Sequence, residues 1–135
     1  MRASVMRAGV LAAALAACAT PASTPPAPIH LSGTSWIMDD ADASPHFPTI
    51  RFEDARASGF DGCNSWFAAV TQEGEMLRFG PVATTRRACQ AESAGAVERR
   101  FLAALGATRF GHYDHDVLVL LDGEQHQLGR FNADR

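Results

Sequence analysis

The chain is written in short runs that alternate apolar and polar residues, and a two-residue period admits few folds. Thr49-Ile50-Arg51-Phe52-Glu53 places Ile50 and Phe52 on one face and the charges on the other, the pattern of a half-buried strand. Residues 34–38, 65–71, 76–79, 109–113, 117–121 and 125–131 read as further strands, and 56–60 as a weaker one behind the Asp54-Ala55 turn. Residues 82–85 run on as a further short strand after the Gly80-Pro81 break. Gln72-Glu73-Gly74-Glu75 reads as a hairpin loop, and Leu121-Asp122-Gly123-Glu124 carries a two-residue turn signal. Only residues 94–105 depart from the pattern. There Val97, Phe101, Ala104 and Leu105 fall at i, i+4, i+7 and i+8, one face of a helix. Ser93 is expected as its N-cap and Gly106 as the residue just beyond its end, with Glu98, Arg99 and Arg100 on the wet side.

About eight short strands with one inserted helix argue for a mainly β fold: a small antiparallel barrel or strongly curled sheet. Curling a sheet closed removes the unpaired edges that invite aggregation. The helix is expected over an open end or seam, burying Phe101 and Leu105. Trp36, Phe52, Phe79, Phe101 and Phe110 read as core.

The N-terminus is of a different kind. Arg2 and Arg7 precede ten Ala, Gly, Val and Leu residues, 8–17, a run suited to a signal peptide and too short to span a bilayer. It ends Leu15-Ala16-Ala17-Cys18, which resembles a bacterial lipobox, so residues 1–17 are expected to be removed and Cys18 lipidated. A thiol is required at that position because it takes the lipid, and small residues before it admit the peptidase. More than one acyl chain is needed for stable anchoring. Ala19 follows where an aspartate often marks inner-membrane retention, so the resemblance favours the outer membrane, facing the periplasm. Residues 18–30 read as the anchor and a Pro/Ala/Thr-rich tether, and 31–135 as one domain of common size.

Cysteine count and charge narrow the function. Of three cysteines, lipid on Cys18 leaves Cys63 and Cys89, and two cysteines in a small exported domain more often pair than stay free. A loop of that length would contribute about 3 kcal/mol in the chain-entropy model. The alternative makes Cys63 a nucleophile, which needs a thiolate with a base in reach; no histidine is marked out for that part. The formal charge is −3, and losing Arg2 and Arg7 takes it to about −5, with no basic stripe of the kind that binds nucleic acid. His112-Tyr113-Asp114-His115-Asp116 holds nitrogen and oxygen donors of the kind that ligate zinc, although a solvated hairpin tip is the simpler reading. Arg86-Arg87 and Arg99-Arg100 read as solvated faces, or as contacts for anionic headgroups or a carboxylate partner.

The segment from Gly59 to Cys89 resembles the META domain, the HslJ-like family. The matching elements are Leu31-x-Gly33-Thr34-x-Trp36 and Ser58-Gly59-Phe60-x-Gly62-Cys63-Asn64. Leu77-x-Phe79-Gly80-Pro81-Val82-Ala83-Thr84-Thr85-Arg86-x-Ala88-Cys89 follows, then the helix with Glu98, Phe101, Leu102 and Leu105, and Leu118-x-Leu120 and Leu128-x-x-Phe131. Trp66-Phe67 departs from the aromatic and glycine patterns common after the Asn, and Ser65 stands where an arginine is frequent. The resemblance implies a lipocalin-like barrel with a helix, often in an envelope lipoprotein linked to stress response. It implies no established catalytic activity, and no catalytic residue, metal or cofactor is expected. The expected function is therefore a non-enzymatic envelope lipoprotein domain, attached to the membrane through Cys18, with a stress or maintenance role or an envelope protein as partner. The alternative is binding of a small apolar ligand at the barrel mouth, although a barrel of this size can be filled by its own side chains.

Overall fold

The computed structural model describes residues 18–21 and 28–135; the expected leader and part of the tether lie outside the described residues. Nine strands form one antiparallel sheet: β1 (Ser35–Met38), β2 (Thr49–Glu53), β3 (Arg56–Phe60), β4 (Ser65–Glu73), β5 (Met76–Phe79), β6 (Ala83–Thr84), β7 (Phe110–Asp114), β8 (Val117–Leu121) and β9 (Gln127–Ala133). Their order is β3-β2-β1-β9-β8-β7-β5-β4-β6, and β3 also pairs with β4. That pairing closes the sheet into a ring. β5 and β6 lie on the same side of β4: Val70 pairs with Phe79, and Phe67 with Ala83. Gly80-Pro81 breaks one lane into two strands, and so nine strands occupy eight lanes.

Alternation sets which side chains enter the ring. Ile50, Phe52, Trp66, Leu77, Leu118, Leu120 and Phe131 are buried, while Arg51, Glu53 and Phe67 between them face out. Trp66 and Phe131 are large core residues that the sequence reading of the core did not include. Phe110, expected in the core, is only part-buried, because its neighbour Gly111 takes the inward position against Leu77 and Leu118. Ile29 packs into the core together with Leu31, and Gln72 Nε2 donates to the Ile29 carbonyl.

The helix α1 runs Glu92–Ala107, longer at both ends than its apolar stripe. Ala91 is the N-cap and makes no side-chain cap bond, so Ser93 lies inside the first turn. Gly106 does not end the helix. Thr108 does: its amide donates to the Ala104 and Leu105 carbonyls and its hydroxyl to Ala104 O at 2.8 Å. The Asp122-Gly123 turn is also longer than expected. The loop spans 122–126, because Asp122 Oδ1 accepts from the amides of Glu124 (2.8 Å) and His126 (2.9 Å).

Phe101 carries the helix into the ring. Its ring lies 5.5 Å from Trp66 and 6.2 Å from Phe131, both edge-on, and Trp66 in turn meets Phe79. Edge-to-face pairs add to what area burial provides. The interior is thus filled by aromatic rings from β4, β5, β9 and α1. Arg100, opposite, bonds Asp40 at 3.2 Å, beside a single 3-10 turn at Ala41–Ala43. Phe101→Ala should cost about 3–5 kcal/mol, measured by urea unfolding of the full chain; a loss below 1 kcal/mol would mean the helix does not seal the ring.

Candidate functional site

The segment between β3 and β4 is built from four residues with separate tasks. Asp61 is wholly buried; its Oδ1 accepts from the amides of Cys63 (2.9 Å) and Asn64 (2.6 Å), and its own amide donates to Asn64 O. Its Oδ2 is buried with no hydrogen-bond partner among the described residues. Gly62 has φ +105°, and a Cβ there would come within 2.7 Å of Val97 Cγ1 on α1. Only glycine suits both the left-handed backbone and the approach of the helix. Cys63 is bonded to Cys89, with Cα atoms 5.5 Å apart.

Asn64 uses its whole amide. Nδ2 donates to Arg87 O (3.1 Å) and to Glu98 Oε1 (3.1 Å), and Oδ1 accepts from Thr85 Oγ1 (3.1 Å) and Arg87 N (2.9 Å). One side chain therefore joins the β3–β4 turn, the 85–87 segment and the helix. Asparagine is suited because it offers two donors and a two-fold acceptor on one planar group. Gly59 has a comparable role one turn earlier: a Cβ would lie 2.1 Å from Thr49 O, the carbonyl that takes Trp66 Nε1 at 3.1 Å.

Glu98 was expected on the wet side. It is half-buried instead, with Oε1 held by Asn64 and Oε2 3.4 Å from Cys89 Sγ. The signal was present in the sequence: positions 94, 97, 98, 101, 104 and 105 complete one helical stripe, and a carboxylate occupies one of them. Sequence reasoning also missed Asp61, whose burial depends on the turn it caps. A cleft of about 280 Å³ beside the disulfide is lined by His46, Phe60, Cys63, Arg87, Cys89 and Ala94, among others. No histidine is hydrogen-bonded to Cys63 among the described residues; its sulfur lies near Arg87 O and Asn64 Nδ2. A sulfur in a disulfide has no thiolate, so the nucleophile arrangement is not assembled.

The His112–Asp116 stretch is spread over a strand and a turn. His115 Nδ1 meets Asp114 Oδ1 at 3.0 Å, Arg130 meets Asp114 Oδ2 at 3.3 Å, and Arg135 meets Asp116 at 2.9 Å. Its carboxylates are thus spent on cations, and the hydrogen bond from His115, followed by Arg130, holds Asp114 below its ordinary pKa. Tyr113 turns the other way. It stacks on Trp36 at 5.5 Å, its hydroxyl donates to His30 O at 2.6 Å, and burial raises its pKa. Both residues line a second, outer cleft of about 470 Å³ with Gly33, Asp116 and Asp134. All four arginines of the two pairs, Arg86, Arg87, Arg99 and Arg100, are exposed, and Arg100 bonds Asp40.

These motif residues decide the family. A model of the META domain matches residues 29–135. The chain belongs to the META domain family. No curated protein matches it. Among solved structures it is similar to a protein from Burkholderia xenovorans determined by NMR: TM-score 0.62, 20% identity, covering 89% of this chain and 98% of that one. It is also similar to a DUF4847 family protein from Bacteroides vulgatus in a crystal structure: TM-score 0.58, 15% identity, covering 76% and 93%. At these identities the likeness concerns the fold. In this META domain the Gly-Cys-Asn element is accounted for by the backbone of Gly62, the bond at Cys63 and the four hydrogen bonds of Asn64.

Two outcomes follow. Asn64→Ala strands polar groups of Arg87, Thr85 and Glu98, and should cost about 2–4 kcal/mol in denaturant unfolding; a cost under 0.5 kcal/mol would contradict the hub. Asp122 is held below 3.8, first by the His126 amide. Its folded pKa is depressed, so its stabilisation is present above the unfolded value and is lost as pH falls through the folded one. Asp122→Asn should lower Tm at neutral pH and flatten the fall in Tm between about pH 5 and pH 3; an unchanged acid limb would refute that role.

Proposed function

We propose that this META domain is a non-catalytic, lipid-anchored cell-envelope domain. In this reading it is held at the outer membrane through Cys18, faces the periplasm, and serves envelope maintenance or stress tolerance by contact with another envelope protein. The observation that carries the reading is the division of the cysteines. Cys63 and Cys89 are bonded to each other, whereas Cys18 is free and exposed, ahead of a proline-rich tether. A disulfide suits an oxidising compartment, and a free thiol just after an apolar leader is where a lipid would be attached. No helix among the described residues is long and apolar enough to cross a membrane. A non-catalytic role is supported by the way the motif side chains are spent: Asn64 has both ends of its amide bonded, and among the described residues no histidine is hydrogen-bonded to Cys63. The apolar-ligand alternative gains less support, because aromatic side chains occupy the ring interior and the clefts beside the disulfide and Tyr113 mix polar with apolar walls.

Fatty-acid labelling and detergent partitioning test the anchor in a bacterial host. The wild-type chain should incorporate labelled palmitate and partition with membranes, and Cys18→Ser should abolish the label and leave the chain in the aqueous phase. A membrane-bound Cys18→Ser protein, or an unlabelled wild type, would end this reading.

A further inference from the structure

Cys63, Cys89 and Glu98 form a cluster that the fold alone does not need in full. One sulfur from each cysteine and one carboxylate oxygen of Glu98 lie within 4.8 Å of one another. Glu98 makes no ion pair among the described residues, although it is half-buried and its Oε2 is aimed at Cys89 Sγ. Asn64 satisfies Oε1, but Oε2 faces sulfur rather than a cation, an unusual use of charge, since burying a charge without a counter-ion is costly. We propose that Cys63, Cys89 and Glu98 are a redox-gated site for a thiolate-preferring divalent cation of the zinc class, closed while the disulfide stands and opened by its reduction.

The chemistry balances with a dithiol as reductant. A dithiol gives two electrons and two protons to the Cys63–Cys89 bond, leaving two thiols here and a disulfide on the reductant. The cation then displaces both thiol protons and takes two thiolates and one carboxylate oxygen. Two sulfurs select zinc-class ions over calcium or magnesium. Zinc holds thiolates at about 2.3 Å in a tetrahedron, which sets the two sulfurs about 3.8 Å apart, a separation that side-chain rotation can supply. The fourth position is left for water or for His46, which lines the same cleft.

The surroundings are prepared for this. Asn64 Nδ2 holds Glu98 Oε1 at 3.1 Å and sits 3.4 Å from Cys63 Sγ, so the same amide orients the carboxylate and can donate to a thiolate. Metal ligands are commonly fixed by such outer partners. The cleft lined by both cysteines offers entry to a reductant and to the ion. The proposal does not depend on the anchor at Cys18 or on the envelope role.

The test uses the full chain carrying Cys18→Ser, so that the only thiols are those of the pair. The protein is reduced with a phosphine, freed of reductant without air, and titrated with zinc against a chromogenic chelator. Cobalt serves as the spectroscopic probe. The reduced chain should bind one zinc and show thiolate-to-cobalt charge transfer; the oxidised chain should do neither. Glu98→Gln, which keeps the Asn64 bond, should weaken zinc binding about 10-fold or more. Equal binding by the oxidised chain, absence of thiolate charge transfer, or unchanged affinity in Glu98→Gln would each overturn the site. Circular dichroism covers loss of fold on reduction. If the metal-free reduced chain unfolds, zinc must restore its β signal, and a chain that stays unfolded at saturating zinc also overturns the proposal.

Discussion

The side-chain amide of Asn64 is the point on which the rest of this domain turns. Four hydrogen bonds leave it for the 85–87 segment and for Glu98, and these are the pieces that would otherwise be free to part. The connection from β6 to α1 carries little regular structure and few buried residues of its own. Without a bond to the β3–β4 turn it would be an open loop, and the helix would have only its apolar stripe to direct it. Asn64, the Cys63–Cys89 bond and the contact of Gly62 with Val97 act on that same connection from three sides. A covalent link limits the unfolded chain, the amide network rewards one arrangement of the folded one, and the glycine sets how near the helix may come.

That docking decides the core. With α1 in place, Phe101 enters between Trp66 and Phe131, and the ring interior becomes solid rather than hollow. A filled ring is consistent with a domain whose surface, not its interior, meets other molecules. It also explains why Trp66 is tolerated in this chain: the room made at Gly59 lets its indole reach Thr49 O while its ring packs against Phe101 of the helix. The same closure concentrates two sulfurs and one carboxylate at the edge of a cleft, where chemistry would be accessible without disturbing the packed interior.

Legibility in the sequence followed the range of the interactions involved. The strands at 49–53, 56–60, 76–79 and 117–121 were readable to the residue because their signals are local: alternation at 49–53, an apolar run at 117–121, and turn residues bounding 56–60 and 76–79. The helix was readable from Phe101 and Leu105, but its ends were not, since Ala91 offers no cap signal and Thr108 stops the helix through its own hydroxyl. The Asp122 loop was misread as a two-residue turn because the Asp-Gly pair is equally suited to an Asp side chain that collects amides further along. Glu98 was placed on the wet side by its charge, although its position lies within the buried stripe. Phe110 was placed in the core by its size, although strand phase put Gly111 there instead.

By itself, the sequence determined the β class, the helix and its inward face, the family to which the domain belongs, and the placing of one cysteine ahead of the domain and two within it. Those follow from periodicity, composition and short motifs, all of which are local. Only the tertiary structure decided that β1 meets β9 within the ring, that Phe101 and Trp66 fill it, and that Glu98 turns toward Asn64. Each of these joins residues far apart in the chain, and such a contact depends on distances in space that no local pattern encodes.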